Sequence, residues 1–164
     1  MIRIKAGFGK AVTMAVTVAC MSLIPAFSSA DGPHDKAIKA RQAMFQTYSF
    51  NTGLLGDMAK EKIPYDADIA SEAAANLNAA ANLGQSQLWP QGSDNATDGN
   101  ATTRALPVIW ETYPDIVEKA EALKEAAAAM MAVAGDGLGA LQGAMGDVGA
   151  SCKGCHDDFR AEKK

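Results

Sequence analysis

The sequence predicts an all-α protein, an antiparallel four-helix bundle, on three observations. Apolar residues recur at spacings of three and four in four separate stretches, the period of an amphipathic helix. Alanine is abundant, only 6% of residues are aromatic and β-branched residues are few, which favours helix and leaves a β-sandwich short of strand formers. Pro64, the turn-rich segment 84–106 and Gly135 separate the stretches and supply the breaks a bundle needs.

The first thirty of the 164 residues read as an address, not as fold. Arg3, Lys5 and Lys10 make a positive start with no acid, residues 11–25 are an apolar core, and Ser28-Ser29-Ala30 gives small residues before a cut after Ala30. The apolar core is short for a membrane span. Residues 1–30 are therefore expected to be a cleaved signal peptide and residues 31–164 a single bundle domain. Export places the protein in a bacterial periplasm. Without the leader the chain carries 12 Lys+Arg against 19 Asp+Glu, a net −7. That surface disfavours nucleic acid and anionic lipid, and no later segment is apolar enough for a membrane span.

The first helix is expected to follow Pro33 and run to about Ala59, with Ile38, Arg41, Phe45, Tyr48, Thr52 and Leu55 on its inner line. Asp66 or Asp68 caps the second, whose line is Ile69, Ala73, Leu77, Ala80 and Leu83, with Gly84 ending it. The segment 84–106 reads as a long loop, either functional or a solvated crossover. Pro114 opens the third helix, lined by Ile116, Ala120, Leu123, Ala127, Met130 and Ala134. Gly135 ends it and Asp136 caps the fourth, lined by Leu138, Leu141, Met145, Val148, Cys152, His156 and Phe159.

That fourth line carries the chemistry. Cys152-Lys153-Gly154-Cys155-His156 has the spacing of a c-type haem attachment site. Two thiols reach the two vinyl groups of a porphyrin, and the imidazole one turn after Cys152 turns to the iron. A thioredoxin-like pair would need a βαβ context, and a zinc site further ligands. The only other histidine, His34, is far away in sequence. One covalent haem c per chain near the C-terminus is therefore expected, with His156 as the metal ligand. No general base or nucleophile beyond this imidazole is evident, so an enzyme is not expected.

The stretch from Gly146 to Arg160 around this motif, Arg41-Gln42 in the first helix, Ile63-Pro64-Tyr65-Asp66 before the second and Pro107-Val108-Ile109-Trp110 before the third together resemble the cytochrome c′ family over about residues 35–162. The segment 85–103 aligns poorly. The resemblance implies a four-helix bundle, a homodimer through the first two helices, and five-coordinate iron with an apolar side chain over its second face. It places Arg41 and Gln42 at a haem propionate, Phe45 at the distal position and Arg160 on the proximal face. Arg104 could reach the other propionate. A surface ion pair with Asp35 is the alternative for Arg41, and Trp110 either leans on the haem or seals the bundle end. Met44, about 100° round the helix from Phe45, is the alternative sixth ligand. Two roles follow from the resemblance: a one-electron carrier docking on a periplasmic redox partner, and a binder of small gases such as nitric oxide and, less readily, carbon monoxide.

Overall fold

A computed structural model describes residues 31–163. The signal-peptide reading of residues 1–30 falls outside them. The described chain forms α1 (Asp35–Ala59), α2 (Ala67–Ala81), a short α3 (Val108–Glu111), α4 (Tyr113–Val133) and α5 (Leu138–Phe159), with a 3₁₀ turn at Ser86–Leu88. Each of the four long helices packs on two others, in the ring α1–α2–α4–α5. Two contacts fix their antiparallel sense. The Tyr65 hydroxyl, just before α2, donates to the Ala134 carbonyl at the end of α4 (2.9 Å). Gln142, in the first turn of α5, donates to the Ala59 carbonyl at the end of α1 (2.9 Å). Among the described residues no helix is long and apolar enough to cross a membrane.

Two apolar clusters hold the bundle. The larger runs through its middle: Met44, Tyr48, Leu55, Leu77, Met130, Leu141 and Val148, filled in by alanines of α2 and α4. Small residues let helices approach closely, and each fully buried Leu or Met contributes roughly 1.5–3 kcal/mol. The smaller cluster sits where the long connection meets the end of α5: Ala105, Ile109 and Phe159, with Trp89, Val108, Trp110, Ile116 and Cys155 packed on them.

Several local expectations need correction. The buried face of α1 runs through Met44 and Asn51, while Phe45 is 38% exposed. Both stripes have three- and four-residue spacing, so periodicity alone could not choose between them. Ile69 and Leu83 lie outside the core; Ala70, Ala74 and Ala81 take the inner face of α2. Asp66 caps α2, accepting from the Asp68 and Ile69 amides (3.0 Å each), but α2 stops at Ala81 before Gly84. Gly137, at φ +116°, precedes α5 in place of Asp136, a backbone setting that favours glycine. Its amide donates to the Tyr65 hydroxyl (3.0 Å), so one tyrosine fastens the α4–α5 turn from both sides.

The connection between α2 and α4 is more than a solvated crossover. Ser93 is fully buried and Ala101 and Ala105 nearly so. Asp35, fully buried at the start of α1, accepts from the amides of Asn100 (3.0 Å) and Ala101 (3.1 Å). A Cβ at Gly99 would lie 2.3 Å from its Oδ1, so the loop can approach only with glycine there. Burial pushes the Asp35 carboxyl up, but the backbone donors of Ala101, Asn100 and Gly32 and the charge of Lys39 outweigh it and hold it below its ordinary 3.8. A depressed carboxylate stabilises the fold above its unfolded pKa and ceases to do so as pH falls through the folded value. Asp35→Asn is therefore expected to melt below the parent at pH 7. The gap should close in melts taken progressively below pH 3.8. A gap independent of pH would mean that the charge is not what ties the loop.

Candidate functional site

The residues of the CxxCH motif project from the last two turns of α5. Helical propensity does not explain this helix, because Gly139, Gly143, Gly146, Gly149 and Gly154 all lie within it and each costs about 1 kcal/mol relative to alanine. Tertiary packing holds it, through Leu141, Val148 and Phe159 on its buried face. Beside the motif, Lys119 of α4 pairs with Asp158 (2.9 Å) and joins the two helices at this end.

Cys152, Cys155 and His156 are all partly buried, and no disulfide joins the two cysteines. Burial pushes both thiols up, so they are protonated at neutral pH. Burial pushes His156 down, and the cations of Arg160 and Arg104 add to that. A neutral imidazole keeps a lone pair for a metal. No cluster of three or more His, Cys, Asp or Glu side chains suited to a metal occurs among the described residues. The motif therefore does not sit in a multi-residue metal cage of the kind that holds a bare ion.

An element that periodicity could not reveal brings the distant Arg104 to this histidine, beside Arg160 one turn further along the chain. Residues 104–106 lie antiparallel to residues 159–161: Leu106 donates to the Phe159 carbonyl (3.0 Å), Ala161 to the Arg104 carbonyl (2.8 Å), and Ala105 bridges to Arg160. Arg160, exposed, caps the end of α5 with its amide on the His156 carbonyl (3.3 Å). The Nε of Arg104 is buried and has no partner among the described residues. A buried donor without an acceptor is costly, and an anion seated there would satisfy it.

Arg41 is 1% exposed and makes no surface ion pair with Asp35, whose carboxylate is turned to the Asn100 and Ala101 amides. Its Nη1 donates to the Leu88 carbonyl (3.2 Å) and the Ser93 hydroxyl (2.6 Å), and its Nη2 to the Ser93 carbonyl and the Thr103 hydroxyl (3.1 Å). Both terminal nitrogens are thereby engaged, which leaves Nε–H for another acceptor. The guanidinium also lies over the Trp89 ring, 4.6 Å from its centre. Burial lowers the Arg41 pKa to about 10, with Asp94 opposing, so the group stays charged at neutral pH. Gln42 donates to the Thr102 carbonyl (2.6 Å), keeping one amide N–H in reserve.

Phe45 stands edge-on to Tyr48 (centroids 5.6 Å, 76°) and to Trp89 (6.1 Å, 74°). Trp89 continues to Trp110 (6.4 Å), whose Nε1 donates to the Trp89 carbonyl (3.2 Å). This aromatic row joins α1 to the cluster that includes Cys155. Trp110 thus packs inside that cluster and is more than a seal on the bundle end. Met44 belongs to the larger core instead. The structure therefore groups His156 with Arg104 and Arg160, and Arg41 with Phe45 and Trp89. Trp89 and Gln85 were missed in the sequence because they lie in the segment read as loop.

The family described as Cytochrome C' matches residues 36–160. A cytochrome c-554 of Cereibacter sphaeroides is 43% identical over 126 residues, 77% of this chain and 93% of that one. The solved cytochrome c' of Thermochromatium tepidum superposes with a TM-score of 0.73 at 34% identity, covering 81% of this chain and 100% of its own. A further solved cytochrome c', described as having an unusual ligand-controlled dimer dissociation, superposes with a TM-score of 0.72 at 31% identity, covering 78% and 96%.

Proposed function

The chain belongs to the cytochrome c′ family, which makes it a c-type haem electron-transfer protein, and from that premise we propose an exported carrier whose iron is held by His156 on one face and open to small gases on the other. Cys152 and Cys155 attach the haem, and the bound haem c supplies a one-electron ferric/ferrous couple. Arg104 offers its buried Nε to one propionate. Gln42 and the remaining N–H of Arg41 face the other, and Arg160 lends positive charge on the side of His156. Phe45 covers the second face without coordinating. The single observation that carries this reading is the placement of Phe45: it joins Trp89 in the row leading to Cys155, while Met44 packs with the larger core.

A ring over the iron admits a diatomic ligand at the cost of crowding. Phe45→Ala removes it. Relief of overpacking is worth about 1–3 kcal/mol, so the variant is expected to bind carbon monoxide roughly 10–100-fold more tightly, read by titration of the ferrous absorption spectrum. An unchanged affinity would place Phe45 elsewhere. Ligand control of a dimer is described for one structural relative, and the same coupling is proposed here, with the dimer formed through α1 and α2. The acidic surface and the export leader support a periplasmic site and a basic redox partner. The role of carrier and gas binder needs no further reacting group, and no enzymatic activity is proposed.

A six-coordinate carrier, with Met44 as second ligand, is the alternative. The burial of Met44 (7% exposed, against 38% for Phe45) is the observation in its favour.

A further inference from the structure

We infer that Trp89 is a positioning residue for ligand binding: it fixes the Phe45 ring and so sets how much room a gas finds, an inference that rests on the distal role proposed for Phe45. The indole is held on several sides. The Arg41 guanidinium lies over its face at 4.6 Å, and that guanidinium is itself fixed by Leu88, Ser93 and Thr103. The Trp89 carbonyl accepts from Trp110 (3.2 Å), and its Nε1 donates to the Gln85 Oε1 (3.4 Å).

The same Gln85 side chain donates through Nε2 to the Tyr48 hydroxyl (3.3 Å), which donates to the Ala80 carbonyl (3.2 Å). Tyr48 and Trp89 are the two rings edge-on to Phe45. Gln85 therefore ties together both aromatic walls that flank it. An edge-to-face contact favours one ring orientation, and two such contacts from fixed partners leave Phe45 less freedom to swing than a lone side chain on a half-exposed helix face would have. The discrimination among ligands is then a property of the frame and not of Phe45 alone. Because Trp89 belongs to the 82–112 connection and Arg41 to α1, loop and helix must be in register for the frame to stand.

The test is a double-mutant cycle on the haem-loaded protein, read by carbon monoxide titration, with NMR of ¹³C-labelled Phe45 as a second readout. Trp89→Leu is expected to tighten binding about 3- to 10-fold, the scale of one lost edge-to-face contact, and to broaden the motion of the Phe45 ring. Trp89→Phe, which keeps an aromatic edge, should stay near the parent. In the Phe45→Ala background Trp89→Leu should add nothing, because its effect passes through Phe45. Gln85→Leu, at a half-exposed site, provides a variant with less risk to folding and should move affinity in the same direction. If Phe45→Ala tightens binding while Trp89→Leu and Gln85→Leu lower only the melting temperature, the inference is overturned and the distal role of Phe45 stands. An equal effect of Trp89→Leu in both backgrounds also overturns it. If Phe45→Ala itself changes nothing, the distal role fails.

Discussion

Serine at both Cys152 and Cys155 is expected to abolish covalent haem attachment: acid–acetone extraction should carry all of the haem into the organic phase, where the parent retains it on the polypeptide. Each thioether needs a thiol that adds to a vinyl group, and serine's hydroxyl does not do so under the same conditions. Each single substitution should keep the haem on the chain through the remaining sulfur. The unreacted vinyl then extends the ring's conjugation, and the reduced absorption bands should move to longer wavelength relative to the parent. The two thiols are partly buried and pushed toward their protonated form, the opposite of the depressed thiolate that a redox-active pair uses. Retention of all haem after extraction from the double variant would place the attachment outside this motif.

Arg41→Ala is expected to cost about 3 kcal/mol of folding stability, among the larger effects of a single substitution. The side chain is almost fully buried, and its loss would strip donors from the Leu88 and Ser93 carbonyls and the Ser93 and Thr103 hydroxyls. It would also take the cation from the face of Trp89. Denaturant melts should show the loss. Hydrogen exchange should show it concentrated in residues 85–103, with α2 and α4 protected as before. Arg41→Lys should recover only part, because one ammonium cannot serve acceptors spread over both terminal nitrogens of a planar fork. A uniform loss of protection across the bundle would mean that the arginine acts in the core and does not clamp the loop.

The four long helices, their order and the attachment motif were legible in the sequence because each rests on local information: periodicity, capping residues and the spacing of Cys152, Cys155 and His156; the short α3 and the 3₁₀ turn at Ser86–Leu88 were not. Rotations about a helix axis were less so. The stripes through Phe45 and through Met44 have the same period, and only the packing of α1 on α2 and α5 selects the face. Similarly, Ile69 of α2 and Leu83 just beyond it are large and apolar yet exposed, while Leu77 and the alanines of α2 face inward. Arg41 was identified as buried from its neighbours Ile38 and Phe45, but not its partners, which come from a segment more than forty residues away. Arg104 was placed near the haem from its proximity to Pro107. What brings it beside His156 is the short antiparallel pairing of residues 104–106 with 159–161, which carries no period of its own. Trp89 and Gln85 had no local signal at all: their meaning lies in which rings they touch.

The central claim is that His156 is the one protein ligand to the iron and that Phe45, not Met44, occupies the other side. Electron paramagnetic resonance and absorption spectra of the purified ferric protein test this directly, followed by exposure of the ferrous form to nitric oxide and carbon monoxide. The account predicts a high-spin, five-coordinate ferric signal, uptake of nitric oxide, and weak binding of carbon monoxide that Phe45→Ala strengthens. A low-spin spectrum that takes up neither gas, and that turns high-spin in Met44→Leu, would contradict it and make Met44 the second ligand of a six-coordinate electron carrier.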